Sequence, residues 1–318
     1  MLGDSCDRFI LGHFRATLPA LTCPSRTTHD RRRVLPPTLT RNQAKHLRAL
    51  RERKYRHQQR QFVAEGETIV AEILAAAPAA LRYIVCTPEY YARQSPSLQT
   101  QLTGSIFCCD LDTFRRISSL DTPPAALAVL DMPAAGLPAT GPMGQQTLSS
   151  APTPPANPPP AGLQLYLDGI RDPGNLGTIL RVADWFGHAA VYLSDDCVDV
   201  YNSKTVQASM GAFLRVRAHT TSLLQLQLDY PHLAIAGTCI ESGHDGLAYA
   251  WPPDSLLVIG SESHGIRPEQ RSLISTWISI PRGRESSGAE SLNAAVASGI
   301  LCAAYLASRR SPTHQRRG

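Results

Sequence analysis

Several common cofactor and catalytic motifs are missing from this sequence. No predicted strand runs into Gly-x-Gly-x-x-Gly, and no Walker A loop, His-Glu-x-x-His or Gly-x-Ser-x-Gly is present, which weakens dinucleotide, nucleotide triphosphatase, metalloprotease and hydrolase functions. The eight cysteines form no Cys-x-x-Cys pair and no Cys/His cluster with zinc spacing. Most of them lie in apolar runs, so we expect reduced, buried thiols in a cytoplasmic protein and no bound metal.

Long apolar runs are also scarce. Residues 292–308 are apolar nearly throughout, but the stretch is short for a membrane span and rich in Ala, Ser and Gly. We expect a helix buried within a domain or a dimer instead. No charged segment followed by a long apolar one marks the N-terminus, so no signal peptide is predicted. Residues 1–39 contain Arg and Pro without a clear period and are predicted to be disordered.

Charged residues make up only 18% of the chain and hydrophobic residues 43%, a balance that suits a protein with a sizeable core. The formal net charge is +5, and the basic residues are concentrated between positions 41 and 60, where Glu52 is the one acid. They are Arg41, Lys45, Arg48, Arg51, Arg53, Lys54, Arg56 and Arg60. A polyanion would be attracted to this segment, and nucleic acid is the first candidate, although a solvated helix face is the alternative.

A proline-rich segment divides the chain. Residues 132–162 contain nine prolines, four glycines and no charged residue, so they cannot build a core and are predicted to form an extended linker. The 318 residues suffice for two domains of ordinary size. We therefore predict an N-terminal domain over residues 40–131, a C-terminal domain over residues 163–310 and a short basic tail over residues 311–318.

The N-terminal domain is predicted to be a mixed α/β unit. A basic helix spans residues 40–59 with Thr40 as its cap, and apolar residues at helical spacing predict a second helix over residues 66–77. Strands are predicted at residues 81–86, 105–109 and 125–130. Asp112 is the predicted N-cap of a helix after the second of these strands.

In the C-terminal domain, predicted strands alternate with helices. Asn175 is the predicted cap of a helix that ends before Gly187. The predicted strands cover residues 163–167, 189–193, 233–236, 256–259 and 277–280, and the helices cover residues 175–186, 203–210 and 292–308. Such alternation indicates an α/β fold with a mostly parallel sheet and helices on both faces. Ligands bind such sheets beyond the carboxyl ends of the strands.

Three polar, glycine-containing segments fall at predicted strand ends. The first is Asp-Gly-Ile-Arg-Asp-Pro-Gly-Asn-Leu-Gly-Thr-Ile-Leu-Arg at residues 168–181. The second is Leu-Val-Ile-Gly-Ser-Glu-Ser-His-Gly-Ile at residues 257–266, and the third is Ile-Pro-Arg-Gly-Arg-Glu-Ser-Ser-Gly-Ala-Glu-Ser-Leu-Asn at residues 280–293. Taken singly, each is as well explained by a capped helix or a glycine turn.

Taken together, the three segments resemble motifs 1, 2 and 3 of the SpoU (TrmH) family of RNA 2′-O-ribose methyltransferases. The resemblance covers about residues 163–306 and includes Lys-Thr-Val-Gln-Ala-Ser-Met-Gly-Ala at residues 204–212. Upstream, Leu-Arg-Glu-Arg-Lys-Tyr-Arg at residues 50–56 and Phe-Val-Ala-Glu-Gly-Glu at residues 62–67 are similar to the family's substrate-binding domain, which has a ribosomal-protein-like fold.

The resemblance implies a deep trefoil knot in the C-terminal domain, S-adenosylmethionine bound in that knot, and a homodimer whose site both subunits build. The implied cofactor-binding residues are Thr238, Ile259, Gly260, Gly265, Ile280 and Leu292. The implied catalytic residues are Asn175, Arg181, Glu262, Ser291 and Asn293. The RNA-binding residues predicted in the basic segment are Arg51, Arg53, Lys54 and Arg56.

The reaction implied by the resemblance needs alignment of oxygen, carbon and sulfur and removal of the hydroxyl proton, but no metal. The resemblance assigns Arg181 a central role, often that of the general base. Because a guanidinium keeps its proton, we expect Arg181 to bind the adjacent phosphate and to stabilise negative charge developing on oxygen. Asn175 would orient Arg181 or the ribose, and Glu262 would contact that arginine or the substrate. Arg282 and Ala294 depart from the family pattern without removing a polar role.

Two other functions remain open. A non-catalytic RNA-binding protein could keep the fold, but it would not need Asn175, Arg181, Glu262, Ser291 and Asn293 together. A knotted methyltransferase acting on a base nitrogen ranks last, because such relatives carry different motifs. The leading hypothesis is an active cytoplasmic ribose methyltransferase that acts on structured RNA, either ribosomal or transfer RNA.

Overall fold

The protein is described by a computed structural model that covers residues 36–133, 161–283, 288 and 290–310. Residues 1–35, nearly all of the predicted linker and the predicted basic tail lie outside the described residues. The prediction that disorder extends to residue 39 is wrong for residues 36–39, which have a defined structure. They run alongside a strand, where Cys108 accepts a hydrogen bond from Leu39 and donates one to Pro37.

The N-terminal part contains one four-stranded sheet. Its helices are α1 (Arg41–Ala49), α2 (Arg53–Gln59), α3 (Glu67–Ala76), α4 (Pro88–Arg93), α5 (Pro96–Gln101) and α6 (Leu111–Ile117). Its strands are β1 (Gln61–Glu65), β2 (Leu81–Cys86), β3 (Ile106–Cys108) and β4 (Ala126–Asp131). The strand order is β1-β4-β2-β3, with β4 antiparallel to both neighbours and β2 parallel to β3. The predicted mixed α/β character is confirmed.

The predicted helix over residues 40–59 is in fact two helices. Thr40 caps the first as predicted, in a capping box with Gln43. The chain leaves the helix after Leu50, and the guanidinium of Arg56 donates to the carbonyl oxygens of Leu50 and Arg51. The carbonyl oxygens at the end of a helix have no partner within it, and Arg56 supplies one for both. A side chain of α2 thus stabilises the break between α1 and α2.

The C-terminal part contains a seven-stranded sheet. Its strands are β5 (Leu163–Asp168), β6 (Ala190–Leu193), β7 (Arg217–Thr220), β8 (Ala234–Thr238), β9 (His244–Asp245), β10 (Ser255–Gly260) and β11 (Thr276–Ser279). Its helices are α7 (Pro173–Trp185), α8 (Ser203–Ala208), α9 (Leu223–Asp229) and α10 (Ala294–Arg310). The order is β7-β6-β5-β10-β8-β11-β9, and every pairing is parallel. The predicted parallel-sheet α/β fold is confirmed, and the trefoil knot stays a prediction.

The apolar helix predicted near the C-terminus buries one face and exposes the other. Ala295, Leu301 and Cys302 of α10 lie in the core, whereas Val296 is 51% exposed and Leu306 is 37% exposed. In the described part of the chain, no helix combines the length and hydropathy that a membrane span requires.

The N-terminal sheet packs directly against the segment that leads into and follows α8. The ring of Phe62 on β1 lies 4.7 Å from that of Tyr201 and 5.8 Å from that of Phe213, centroid to centroid. Beside these rings, Arg56 and Asp199 form an ion pair of 2.6 Å whose side chains are only 3% and 7% exposed. Aromatic contacts, one tilted and one edge-to-face, and a buried ion pair thus join the two sheets at this surface.

Candidate active site

The three motif segments meet at the carboxyl edge of the parallel sheet. Strands β5 and β10 are neighbours, and their last residues, Asp168 and Gly260, are paired in register. The first motif continues from β5 into α7, the second follows β10, and the third leads from the end of β11 to α10. The topology therefore gathers loops that are far apart in sequence, as expected for ligand sites in such sheets.

A hydrogen-bonded cluster of three side chains forms where these segments meet. Glu262 Oε1 accepts from Asn175 Nδ2 at 2.9 Å, from Asn293 Nδ2 at 2.6 Å and from the backbone N–H of Ala294 at 3.2 Å. Asn293 also donates to Asn175 Oδ1 at 2.8 Å. All these bonds to the carboxylate reach the same oxygen, so Oε2 is left without a partner among the described residues.

Helix capping explains how the two asparagines reach the cluster. Asp172, not Asn175 as predicted, caps α7, because its carboxylate accepts from Asn175 N at 2.8 Å while Pro173 takes the first helical position. The Asn175 amide is therefore free to bind Glu262. Asn293 has two roles, since its Oδ1 caps α10 by accepting from Ala295 N at 3.0 Å and Val296 N at 3.2 Å.

Arg181 lies on α7 as well, less than two turns beyond Asn175. Its side chain is exposed, and it makes no hydrogen bond or ion pair with any described residue. One turn earlier, Gly177 allows close packing of α8, because a Cβ at that position would lie 2.5 Å from the carbonyl oxygen of Thr205. A closely packed helix thus carries a cation that has no partner in the described part of the chain and that can meet an anionic ligand.

An ion pair between Asp168 and Arg267, which no sequence pattern predicts, holds the loop that carries Glu262. Asp168 is fully buried, and its carboxylate accepts from Arg267 Nε at 2.8 Å and from Arg267 N at 2.8 Å. The loop between these anchors is tight, since Ser261 and Gly265 exchange backbone hydrogen bonds of 3.1 and 2.8 Å. A Cβ at Gly260 would collide with the backbone of Gly265, whose φ is +66°.

A cavity of about 890 Å³ opens beside the cluster. The lining includes Glu262 and Ser291 and also Arg282, which donates to the carbonyl oxygen of Glu290 at 2.8 Å. All six predicted cofactor-binding residues line it as well, namely Thr238, Ile259, Gly260, Gly265, Ile280 and Leu292. Its volume lies in the range of small-molecule sites, and it combines apolar side chains with strand-end backbone and a carboxylate. These groups fit a ligand with an aromatic ring and a charged end.

The predicted RNA-binding residues have different environments. Arg53 and Lys54 are exposed. The structure does not support an RNA-binding role for Arg56. Its side chain is 3% exposed, and its guanidinium is already bound to Asp199 at 2.6 Å and to backbone carbonyls. The guanidinium of Arg51 donates to the carbonyl oxygens of Arg116 and Ser118, so it braces the fold. Within the described residues, no three His, Cys, Asp or Glu side chains are placed to hold a metal ion.

Two family models match this chain. Residues 162–303 match the SpoU rRNA methylase family, and residues 41–128 match an MRM3-like substrate-binding domain. Each model matches one of the two sheets with the helices that surround it. The first match spans all three motifs and the whole Asn175–Glu262–Asn293 cluster.

Relatives and solved structures resemble the chain over most of its length. The 23S rRNA (guanosine(2553)-2′-O)-methyltransferase RlmP of Bacillus subtilis is 28% identical over 81% of this chain and 93% of its own. The structure of an RNA methyltransferase from Porphyromonas gingivalis, assigned to the TrmH family, is 36% identical, with a TM-score of 0.65 over 86% of this chain and 100% of its own. An AdoMet-bound rRNA methyltransferase from Sinorhizobium meliloti shares the fold, with 22% identity and a TM-score of 0.67 over 86% of this chain and 96% of its own.

Proposed function

The chain belongs to the SpoU (TrmH) family of RNA 2′-O-ribose methyltransferases, and from that premise we propose that it transfers the methyl group of S-adenosylmethionine to a ribose 2′-hydroxyl of ribosomal RNA. One observation carries the proposal. Asn175, Glu262 and Asn293 converge at the rim of a cavity of about 890 Å³, and α7 carries Arg181, whose guanidinium has no partner among the described residues. A protein that only bound RNA would need neither the cavity nor the cluster.

S-adenosylmethionine would be held in the cavity by Thr238, Ile259, Gly260, Gly265, Ile280 and Leu292, and it supplies a methyl group already activated on a sulfonium. Transfer to the 2′-oxygen would break the sulfur–methyl bond, release the neutral thioether and pass the hydroxyl proton to water. The protein mainly has to align the acceptor oxygen with that methyl group. Asn175 and Asn293 fix the Glu262 carboxylate through one oxygen, so that its other oxygen can accept a hydrogen bond from the ribose or from Arg181. Ser291 completes the rim of the pocket.

Arg181 acts as a cation in this scheme. A guanidinium keeps its proton under physiological conditions, so it is unsuited to remove the proton of the hydroxyl. It would instead bind the phosphate next to the target ribose and stabilise negative charge that develops on the 2′-oxygen in the transition state. Its exposure and its lack of a partner among the described residues support this role.

The N-terminal part would hold the RNA through its phosphates. Arg51, Arg53 and Lys54 are the exposed members of the predicted set, and of these Arg51 already donates to two backbone carbonyl oxygens. Phosphate contacts position a nucleic acid without selecting its sequence. Ribosomal RNA is favoured over transfer RNA because the full-length relative RlmP acts on 23S rRNA. The cytoplasm is the compartment we propose.

A homodimer is also part of the proposal. Val296 and Leu306 leave an apolar surface on α10, and Trp185 at the end of α7 is 84% exposed. Exposed apolar surface of this kind favours association. Val296 lies in the first turn of α10, beside the active-site cluster, whereas Trp185 and Leu306 lie near the far ends of their helices. A dimer that buries all three would therefore run along both helices from the cluster.

The proposal is tested with purified protein, labelled S-adenosylmethionine, and ribosomal and transfer RNA transcribed without modifications. We expect label to enter ribosomal RNA with the wild-type protein and to be lost with Arg181→Ala. Arg171→Ala is the matched control, because Arg171 is an exposed arginine of the same motif that contacts Asp196 at 3.5 Å. Binding of S-adenosylmethionine without label in either RNA would reject naked ribosomal RNA as substrate, and absence of cofactor binding would reject the enzyme function.

A further inference from the structure

Arg215 joins the N-terminal part of the chain to the helix that carries Arg181. It lies just before β7 and bonds to two carboxylates from different parts of the protein. Its Nε and Nη2 donate to Asp184 on α7 at 2.8–3.0 Å, and its Nη1 donates to Glu72 on α3. The cation therefore bridges the two sheet-containing parts.

The backbone around the bridge is shaped to receive Glu72. Gly211 has a φ of +85°, and a Cβ at this position would overlap the carboxylate of Glu72. Most other residues would be strained in this conformation and would also displace the carboxylate. The side chains of Glu72 and Asp184 are 28% and 27% exposed and that of Arg215 is 43% exposed, so the bridge is partly open to solvent.

The bridge lies one helical turn from Arg181. Asp184 follows Arg181 by three residues on α7, which places the two side chains on neighbouring positions of the helix surface. Gly177, one turn before Arg181, contacts α8. The same stretch of α7 is thus held by α8 on one side of Arg181 and by Arg215 with Glu72 on the other.

We infer that Arg215 is a positioning residue, which locks the RNA-binding part of the chain at a fixed distance and orientation from Arg181. The inference rests on the proposed function. RNA is held by exposed residues such as Arg53 and Lys54. The bridge then fixes the distance and orientation at which the target ribose meets Arg181. The buried Arg56–Asp199 pair and the contact between the rings of Phe62 and Tyr201 hold the same junction at a second point. Alignment of reacting groups within about 1 Å is worth large factors in rate.

The test compares Glu72→Gln with Glu67→Gln. Both glutamates lie on α3 and both pair with an arginine, but Glu67 pairs with Arg93 inside the N-terminal part at 2.9 Å. Glu72→Gln weakens the bridge without leaving Arg215 unpaired, because Asp184 remains, so the fold should survive. For each variant we would measure melting temperature, cofactor and RNA dissociation constants, single-turnover rate at saturating RNA, and amide hydrogen exchange over residues 211–216.

We expect Glu72→Gln to lower the single-turnover rate about tenfold, to speed amide exchange at residues 211–216, and to leave both dissociation constants within about twofold. Glu67→Gln should match the wild-type protein in each measurement. Equal rates or equal exchange in the two variants would overturn the inference. If the wild-type protein methylates no RNA, the proposed function fails, and the exchange measurement alone decides whether Arg215 holds the two parts together.

Discussion

Asn293 donates a hydrogen bond of 2.6 Å to Oε1 of Glu262, although 31 positions of the chain separate the two residues. Asn293 also caps α10, so one side chain fixes both a helix start and the carboxylate of Glu262. The position of Glu262 therefore depends on where α10 begins. The first backbone N–H groups of a helix lack partners within the helix, and Asn293 accepts from two of them while it holds Glu262.

This dual role of Asn293 can be separated by substitution. Asn293→Ser keeps a capping side chain but removes the amide that binds Glu262 and Asn175. We expect methyl transfer to fall by about 10- to 100-fold, on the scale of a lost orienting bond, with little change in melting temperature. Asn293→Ala should lose the same activity and also about 1 kcal/mol of stability. Wild-type activity in Asn293→Ser would show that the bond to Glu262 is not needed.

Arg53 and Lys54 should contribute to RNA binding without contributing to stability. Arg53→Ala or Lys54→Ala should weaken RNA binding and reduce the slope of log affinity against log salt by about one each. Both side chains are exposed, so the melting temperature should not change. Filter binding at several salt concentrations measures the slope, and an unchanged slope would remove these residues from the RNA surface.

Arg56 should behave in the opposite way. It is buried against Asp199, so Arg56→Met leaves a carboxylate without its partner and should destabilise the protein by about 3–5 kcal/mol. Denaturant unfolding measures this loss. A fully stable Arg56→Met variant with reduced RNA affinity would restore Arg56 to the RNA-binding set.

Burial of His188 predicts a pH-dependent stability. Burial lowers the pKa of this side chain below its ordinary value of 6.5, because the interior disfavours the charged imidazole, although a backbone hydrogen bond at Leu163 opposes the shift. The unfolded chain therefore binds more protons in the pH range between the lowered folded pKa of His188 and 6.5. The contribution of His188 is complete above that pH and is lost as the pH falls towards the lower folded pKa.

Thermal unfolding between about pH 5 and pH 8 checks this prediction. The wild-type melting temperature should fall below pH 6.5, and His188→Gln, which cannot be protonated, should fall less steeply. His232→Gln serves as control, since His232 is exposed. The buried-histidine account is wrong if the wild-type and His188→Gln curves have the same shape.

The strands of the C-terminal sheet could be predicted where they are buried, and they were missed where they lie at its edges. The apolar segments that became β5, β6, β10 and β11 are continuous enough to be visible in the sequence. The edge strand β7 reads Arg-Ala-His-Thr, and β9 has only two residues, so neither carries an apolar signal. Strand β1 was missed as well, because residues 62–67 show a resemblance to a family motif but no pattern that predicts a strand.

The site could be predicted as a set of residues, but the bonds among them could not. Asn175 was expected to cap α7, and only the structure shows that Asp172 takes this role and frees the amide for Glu262. Asp112 was expected to cap α6, but Asp110 does so, since both aspartates fit the pattern equally well. The Asp168–Arg267 pair and the Arg215 bridge join distant positions by charge alone, which no local pattern reveals. The roles of the site residues stay predictions.

The acceptor atom is the central claim, and one substitution in the RNA tests it most directly. Once the methylated nucleotide of ribosomal RNA is mapped, a fragment is synthesised with 2′-deoxyribose at that nucleotide alone and incubated with the protein and labelled S-adenosylmethionine. The account predicts that the matched ribose fragment takes up label and that the deoxy fragment takes up none while binding with similar affinity. Label in the deoxy fragment would place the methyl group on another atom and contradict the account.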